Sequence, residues 1–404
     1  MSISSTPVPV SMPMERPAGC PFDPPEELAQ MRADQPLKPL AYPDGHVGWL
    51  VTSHALARAV LADNRFSHRS ELAHSLVAVA STTEKPRPAP PGAFIATDPP
   101  EHTRYRHLLT GQFTVRRMRQ LTERIEQITA EHLDAMERHG PPVDLVEAFA
   151  VPIPSLVICE LLGVPASERV RFQQDLVALL SLTASPEEKL ASTTRLQRFM
   201  GDLVRAKRAN PTDDLLSGLV ADSGLTDEEL ANMAGLLLAA GFDTTANMLG
   251  LGTFALLGNP DQFAVLRDEP DLAGRAVEEL LRYLSIIGGT LRTALEDVEL
   301  GGELVKAGQT VVVSLPAANR DPERFPRPDT LDLRRQATGH MAFGHGIHQC
   351  LGQQLARVEM QVAFPALFQR FPTLRLAVPH EEVPLRTDMA IYGVHRLPVT
   401  WEEA

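Results

Sequence analysis

The spacing of hydrophobic and polar residues predicts a chain built mainly from helices. Across residues 114–140, apolar side chains recur every three to four positions, which is the period of an amphipathic helix. Comparable patterns predict further helices at 144–162, 167–182 and 186–210. Short β-type runs stand at 47–52, 289–294, 310–314 and 398–401. The sequence therefore predicts a mainly α fold with minor β-sheets.

One long helix is predicted to cross the whole protein. Thr226 and Glu229 form a capping box at its start. The apolar pattern then continues to about Leu257, where Asn259 and Pro260 indicate the end. A helix of this length exceeds the usual size in globular proteins, so we expect it to form the centre of the molecule.

The middle of this helix places polar residues in an apolar stretch. Gly241 costs about 1 kcal/mol relative to alanine and loosens the backbone ladder, and Asp243 and Thr244 follow it. Because burying an acid is expensive, the pattern indicates proton handling. An opened turn would admit water, Thr244 would bond a ligand, and Asp243 would relay protons from solvent. The alternative is a Thr244 hydroxyl bonded to a backbone carbonyl beside a solvent-facing Asp243.

Two segments lack a helical pattern. The proline-rich residues 69–96 predict a long loop, and loops of this length are usually functional or disordered. Residues 1–19 are rich in Pro and Ser and predict a disordered N-terminal tail. The remaining residues, 20–404, are predicted to form a single domain.

Composition narrows the functional classes. The 404-residue chain is 44% hydrophobic and 22% charged, as in ordinary globular proteins. Its formal charge of −13 argues against nucleic acid and anionic membrane surfaces as partners. Its three cysteines form no disulfide framework and indicate a reducing cytoplasm. The longest apolar stretch, 233–242, is about half the ~20 residues of a membrane-spanning helix.

A lone cysteine stands in a glycine-spaced turn just before a helix. Glycines 344, 346 and 352 surround Cys350, allowing positive φ angles and close approach to a planar ligand. The helix N-terminus would favour the thiolate. His340, His345, His348 and Cys350 could alternatively bind zinc, but zinc sites usually show paired ligands without such glycines. The sequence thus predicts a thiolate ligand for a large metal cofactor.

The spacing F-G-x-G-x-H-x-C-x-G resembles the haem-binding signature of the cytochrome P450 family, soluble bacterial type. The resemblance implies haem b with Cys350 as axial iron ligand. It implies the P450 fold, with the long helix over the haem, and further cofactor contacts from Ala240, Phe343, Gly344 and Gly352. The A-G-x-D-T run resembles the family motif in which an acid and an alcohol assist dioxygen cleavage, here Asp243 and Thr244.

Three further segments resemble family positions that bind the haem propionates. The run 98–106 is similar to D-P-P-x-H-x-x-x-R, which implicates His102 and Arg106. Arg292 matches the strand arginine of the family, and His348 precedes the cysteine by two residues. Arginine is well shaped for carboxylates.

The pair Glu279 and Arg282 resembles the family's buried E-x-x-R. Residues at i and i+3 share one helix face and can pair. The resemblance implies a structural role in anchoring the loop before Cys350. Either Arg334 or Arg335 is expected to be the third partner, and the sequence does not choose between them.

Taken together, the resemblance implies a monomeric monooxygenase that places one atom of O₂ in a C–H bond or alkene of a hydrophobic small molecule. Electrons would come from NAD(P)H through ferredoxin and ferredoxin reductase, because the chain has no dinucleotide fingerprint. The substrate would be a polyketide, terpenoid or steroid-like compound. An H₂O₂-using peroxygenase, a nitric-oxide reductase and a non-catalytic haem sensor are the alternatives.

Two further groups of residues are expected to contact the redox partner and the substrate. Residues 102–122 carry five arginines and no acid, which indicates either an acidic-ferredoxin docking site or a solvated helix face. Pocket walls are expected from the loop 69–96, from 236–240, from 286–289 and from 389–392. The glycines at 288 and 289 would widen the pocket.

Overall fold

Helices dominate the architecture. The structure is a computed structural model and describes residues 9–17, 20–76, 87–222 and 224–402. The α-helices in these ranges are α1 (Glu26–Asp34), α2 (His54–Ala62), α3 (Glu101–Thr110), α4 (Val115–His139), α5 (Pro152–Leu162), α6 (Arg169–Leu180), α7 (Pro186–Ala209), α8 (Leu215–Asp222), α9 (Asp227–Leu257), α10 (Pro260–Asp268), α11 (Ala273–Leu284), α12 (Leu315–Asn319) and α13 (Gln353–Arg370). The predicted mainly α fold is confirmed.

The strands are short and form small sheets. They are β1 (Leu37–Ala41), β2 (Val47–Val51), β3 (Phe66–Ser67), β4 (Val143–Asp144), β5 (Thr290–Ala294), β6 (Val298–Leu300), β7 (Glu303–Val305), β8 (Thr310–Val313), β9 (Arg375–Leu376) and β10 (Pro398–Thr400). The sheets have the orders β1–β2–β8–β5–β3, β4–β10–β9 and β6–β7. Only β2 and β8 pair in parallel within them, with Leu50 opposite Val312. Strands β2, β5, β8 and β10 confirm the four predicted β-runs.

The amphipathic helix predicted at 114–140 is α4. Oγ1 of Thr114 accepts a hydrogen bond of 3.2 Å from the backbone N–H of Arg117, and Gly140 ends the helix with a φ of 77°. The apolar stripe is buried in the main core through Leu121, Ile125, Ile128, Leu133 and Met136. The pattern alone therefore located this helix, because burial follows its period.

The helix predicted at 144–162 is shorter than the hydrophobic pattern indicated. Asp144 lies in β4, and its Oδ1 accepts hydrogen bonds from the backbone N–H groups of Val146 (3.0 Å) and Leu397 (2.9 Å). A π-helical turn follows, and α5 begins only at Pro152. A side chain that binds backbone donors stabilises a non-helical start, and hydrophobicity does not reveal this competition.

The next two predicted helices differ in how well their ends were located. The helix predicted at 167–182 begins at Arg169 and ends at Leu180, because Ser181 forms an isolated β-bridge with Met389. The helix predicted at 186–210 is α7. Ser185 and Glu188 form its capping box through hydrogen bonds of 3.2 and 2.8 Å.

The central helix α9 agrees with its predicted bounds. Oγ1 of Thr226 accepts from the backbone N–H of Glu229 at 3.2 Å, and Oε2 of Glu229 accepts from the backbone N–H of Thr226 at 2.8 Å. The helix packs against α5, α7, α11 and α13, so it lies at the centre of the molecule. Within the described ranges, neither α9 nor any other helix is apolar over enough length to cross a membrane.

The predicted tail and loop are described only in part. Residues 1–8, 18–19 and 77–86 lie outside the described residues. Val10 pairs with the first sheet: its N–H donates to the Pro39 carbonyl at 3.0 Å, and its carbonyl accepts from Ala41 at 2.8 Å. These contacts place Val10 beside β1, and the disorder of residues 1–19 stays a prediction. In the 69–96 loop, short 3₁₀ turns stand at Ser70–Leu72 and Phe94–Ala96.

Candidate functional site

One cavity of about 370 Å³ lies between α9 and the segment that precedes α13. The structure brings almost every predicted site residue to its wall: His102, Arg106, Ala240, Thr244, Arg292, Phe343, Gly344, His348, Cys350 and Gly352. Asp243 and the structural pair Glu279 and Arg282 do not line this cavity. The motifs, which are spread over 250 residues of sequence, therefore converge on a single site.

The cysteine loop forms a tight turn at the base of this cavity. The backbone N–H of Cys350 donates to the Phe343 carbonyl at 2.9 Å and closes the turn. Gly344 and Gly346 have φ angles of 67° and 74°, and a Cβ at 346 would lie 2.0 Å from the Leu61 carbonyl oxygen. Gly352 differs from the prediction: its φ is −82°, and it caps α13 instead of adopting a left-handed conformation.

The cysteine sulfur faces the cavity in a partly positive environment. Burial raises the pKa of the Cys350 thiol above its usual value. The backbone N–H groups of Gly352 and Gln353 and the charges of Arg106 and Arg357 oppose this effect. A metal ion bound at this sulfur would add positive charge and favour the thiolate.

The zinc alternative finds no support in the geometry. Nε2 of His340 lies 3.2 Å from Oε2 of Glu278, which also pairs with Arg357. No group of three or more His, Cys, Asp or Glu side chains in the described part of the chain is arranged to hold a metal ion. Within the described ranges, Cys350 is therefore not part of a zinc-type cluster.

The four predicted propionate ligands form a basic cluster on the cavity wall. The rings of His102 and His348 lie 4.2 Å apart between centroids. Both ring nitrogens of His102, and Nε2 of His348, are buried without a hydrogen-bond partner among the described residues. Arg292 is buried and, within the described part of the chain, its side chain donates to Thr290 Oγ1 (2.9 Å) and the Leu291 carbonyl (2.8 Å). Arg106 donates to the Gln349 carbonyl at 2.6 Å.

This cluster suits an anionic ligand. Burial, with the neighbouring positive groups, lowers the pKa of His348 to about 2, and burial lowers the pKa of Arg292 to about 10. Buried donors without acceptors are costly, and a pair of carboxylates would satisfy them. With a thiol below and apolar walls above, these residues fit haem, whose two propionates and iron need this donor set.

The acid and alcohol of the central helix are placed differently from each other. Thr244 lines the cavity, and its Oγ1 donates to the Ala240 carbonyl at 2.8 Å. Asp243 is buried, and its Oδ1 accepts from Nη1 of Arg386 at 2.9 Å. The hydroxyl therefore follows the predicted alternative, whereas the solvent-facing Asp243 of that alternative is wrong.

The opened turn predicted at Gly241 does not occur. The helix is continuous from Asp227 to Leu257. A Cβ at position 241 would lie 2.8 Å from Cδ1 of Ile158 on α5. Glycine suits the close packing of these two helices, and a larger residue at 241 would require the Ile158 side chain to shift.

The E-x-x-R pair is a buried anchor with an identified third partner. Neither Glu279 nor Arg282 is exposed, and they share two hydrogen bonds of 2.7 and 2.8 Å. Nε of Arg335 donates to Glu279 at 3.0 Å, whereas Arg334 pairs with Glu269. The question that the sequence left open is therefore answered by Arg335.

This anchor reaches the cysteine loop through one side chain. Nη1 of Arg282 donates to the Asn319 carbonyl at 2.9 Å. Oδ1 of Asn319 accepts from the backbone N–H of Met341 at 2.6 Å. Since Met341 begins the turn that Gly344 and Cys350 complete, the pair supports the segment that presents the thiol.

The cavity walls match part of the prediction. Phe94, Ile95, Leu236, Leu237, Ile286 and Ile287 line the cavity, whereas residues 389–392 do not. Tyr392 instead donates to the Pro21 carbonyl at 2.8 Å. A Cβ at Gly289 would lie 2.8 Å from the Val313 carbonyl oxygen, so this glycine serves strand packing and does not widen the pocket.

Three residues near the cavity were not predicted from the sequence as members of the site. Arg386 holds Asp243, and His68 lies beside the basic cluster. Glu359 is fully buried on α13, where burial raises the pKa of its carboxyl to about 8 and Thr245 hydrogen-bonds to it. Glu359 could have been found from its spacing, since it lies four residues after the buried Leu355. Nothing local in the sequence marks the other two.

One cavity is lined by a thiol, by a cluster of buried basic side chains and by a long helix, and this arrangement fits a haem-thiolate protein. Comparisons with known proteins agree. The sequence profile described as Cytochrome P450 matches residues 181–399. Cytochrome P450 105C1 of a Streptomyces species is 54% identical over 382 residues, covering 94% of this chain and 96% of the relative. Pentalenic acid synthase of Streptomyces avermitilis is 44% identical over 404 residues, covering 98% and 99%.

Solved structures show the same relationship. The crystal structure of CYP105P1 in complex with filipin I has a TM-score of 0.92 and 46% identity, covering 98% of this chain and all of that one. The chain belongs to the cytochrome P450 family and, among its members, resembles bacterial CYP105 enzymes. It is a monooxygenase of the oxidoreductase class that binds haem through a cysteine thiolate.

Proposed function

We propose that this protein oxidises a hydrophobic product of secondary metabolism, by hydroxylation of a C–H bond or epoxidation of an alkene. A polyketide, terpenoid or steroid-like compound is the substrate class. Electrons pass from NAD(P)H through a ferredoxin reductase and a ferredoxin in the cytoplasm. The observation that carries the proposal is the apolar cavity in which Thr244 and Cys350 both line the wall.

The cavity walls support a hydrophobic substrate. Phe94 and Ile95 come from the long loop, Leu236 and Leu237 from α9, and Ile286 and Ile287 from the segment before β5. Burial of apolar area contributes about 25 cal/mol per Å², so such walls select apolar molecules of matching shape. The relatives named pentalenic acid synthase and Nocardicin C N-oxygenase favour secondary metabolism as the source.

Haem iron held by the Cys350 thiolate supplies the binding and reductive activation of dioxygen. The protein's own residues manage position and protons. Thr244 holds its hydroxyl at the cavity wall, where a change of rotamer would redirect its proton from the Ala240 carbonyl to a ligand. Asp243 lies one residue away with its carboxylate held by Arg386, so a proton relay from Asp243 to Thr244 requires the Asp243 side chain to turn away from Arg386.

Turnover under two oxidant systems tests this function. Purified holoenzyme is first screened for substrate-induced spectral shifts across a panel of polyketides, terpenoids and steroids. A binding compound is then incubated either with NADPH, ferredoxin, ferredoxin reductase and O₂, or with H₂O₂ alone. We expect a product containing one oxygen atom from ¹⁸O₂ in the first system. A product formed only with H₂O₂ would establish a peroxygenase, and binding without turnover in either system would favour a haem sensor.

A further inference from the structure

A fifth basic side chain lies beside the four predicted propionate ligands. His68 lines the same cavity, and its ring centroid is 4.8 Å from that of His348. Its Nε2 lies 3.4 Å from Oγ1 of Thr290, which accepts a hydrogen bond of 2.9 Å from Nη1 of Arg292. His68 therefore contacts two parts of the basic cluster, one directly and one through a hydroxyl.

The backbone holds His68 in this place. Strand β3 pairs with β5 through Ser67 opposite Thr293, so the next residue emerges beside the strand that carries Arg292. Asp98 fixes the exit from the strand: Oδ1 accepts from the backbone N–H of His68 at 3.0 Å and Oδ2 from the Ser67 hydroxyl at 2.5 Å. The position of the ring therefore depends on a paired strand more than on the long loop that follows.

Like the other histidines of the basic cluster, the His68 ring is largely buried and its nitrogens are poorly hydrogen-bonded. Burial, followed by the charge of Arg292, lowers the pKa of His68 to about 4, so the ring is neutral at pH 7. Its Nδ1 is buried and makes no well-formed hydrogen bond to a described residue, although the Ile95 backbone is close enough to favour the protonated ring. The Nε2 contact to Thr290 is at the long limit of a hydrogen bond. A buried imidazole so weakly satisfied is suited to donate to an anion.

We propose that His68 is a further haem-binding residue, which hydrogen-bonds a haem carboxylate together with Arg292 and His348. The one carboxylate beside it in the described chain, Asp98, already accepts from Ser67 and from the His68 backbone, so it does not compete for the ring. The role concerns retention and electronic tuning of the cofactor. It is therefore independent of the substrate and of the oxidant.

Haem loss measures this role without requiring catalysis. Ferric holoenzyme is mixed with excess apomyoglobin, and haem transfer is followed by absorbance for the wild type, His68→Leu and His68→Gln. A hydrogen bond to a charged group corresponds to a change of about 10- to 100-fold, so we expect His68→Leu to lose haem faster by that factor. His68→Gln keeps a donor and should remain within about threefold of the wild type.

His74→Ala is the matched control, because it weakens the same segment outside the cavity. The His74 ring stacks on His46 at 3.6 Å and contacts Asp44 at 2.6 Å. If His74→Ala accelerates haem loss as much as His68→Leu, loop packing is the cause and the proposal is wrong. It is also wrong if His68→Leu releases haem at the wild-type rate.

The reduction potential provides a second readout. Removing a donor from a haem carboxylate disfavours the more negative ferrous state, so the ferric/ferrous potential of His68→Leu should become more negative than that of the wild type and His68→Gln. An unchanged potential would contradict the assignment. If His68→Leu fails to fold, His68→Asn replaces it: this shorter amide should lose haem faster than His68→Gln, and equal rates would overturn the proposal.

Discussion

Removing the charge of Glu279 should destabilise the protein severely. Neither Glu279 nor Arg282 is exposed, and the guanidinium donates two hydrogen bonds of 2.7 and 2.8 Å to the carboxylate. Arg335 donates to the same carboxylate at 3.0 Å. The substitution Glu279→Gln therefore leaves a buried positive charge without its counter-ion and turns an amide N–H₂ towards a guanidinium.

The expected loss in the free energy of unfolding follows from these hydrogen bonds and from the burial of the pair. Each charge-assisted hydrogen bond contributes about 1.5–3 kcal/mol, and breaking a buried ion pair on one side costs about 3–5 kcal/mol. We expect Glu279→Gln to lower the free energy of unfolding by about that amount. Because Arg282 also supports Asn319, which bonds the Met341 backbone, haem should be released at lower denaturant than in the wild type.

Equilibrium guanidinium denaturation of the holoenzyme, followed by far-ultraviolet circular dichroism and by haem absorbance, measures both effects. Arg334→Met is the matched control, since Arg334 and its partner Glu269 are about half exposed and such pairs contribute about 0–1 kcal/mol. If Glu279→Gln unfolds within about 1 kcal/mol of the wild type, or no differently from Arg334→Met, the reasoning about the buried pair is refuted.

Three further outcomes follow from the site. Thr244→Ala should reduce product formed per NADPH several-fold while leaving substrate affinity near the wild type, and unchanged coupling would argue against a proton role for this hydroxyl. Charge reversal at Arg116 and Arg117 should slow electron transfer from ferredoxin at low salt. The effect should be modest, because Asp213 lies 3.5 and 3.7 Å from the two arginines and already offsets part of their charge. An electron-transfer rate that is unchanged at every salt concentration would contradict the proposed docking site. Burial raises the pKa of the Glu359 carboxyl to about 8. The protonated carboxyl therefore stabilises the folded state fully at pH values below the pKa of the unfolded carboxyl, and this stabilisation is lost as the pH rises through 8. Denaturation midpoints should fall less between pH 5 and 9 in Glu359→Gln, and parallel pH profiles would contradict the burial of a protonated acid.

The sequence predicted those parts of the fold that local patterns determine. The apolar period located α4 and α7, while the capping box at Thr226 and the breakers Asn259 and Pro260 located the two ends of α9 within a residue or two. It failed where long-range contacts compete with helix formation, as at Asp144, whose side chain binds the Leu397 backbone from the other end of the chain. Such pairings leave no periodic signal.

In the candidate site too, sequence motifs identified some residues, whereas others became visible only through tertiary packing. Residues such as His102, Arg292 and Cys350 were predicted because their segments resemble motifs of the cytochrome P450 family, and they meet at one cavity. His68 and Arg386 were missed, since each reaches the site through tertiary packing alone. Gly241 was placed correctly but explained wrongly, because only the structure shows Ile158 against it.

The ferrous–CO absorbance spectrum of Cys350→Ser, compared with the wild type, tests the central claim most directly. Wild-type holoenzyme should show the band of a thiolate-ligated haem, and Cys20→Ser and Cys159→Ser should retain it, since neither cysteine lines the cavity. Cys350→Ser should lose that band while keeping its helical circular dichroism. A thiolate-type band that persists in Cys350→Ser would contradict the assignment of Cys350 as the iron ligand.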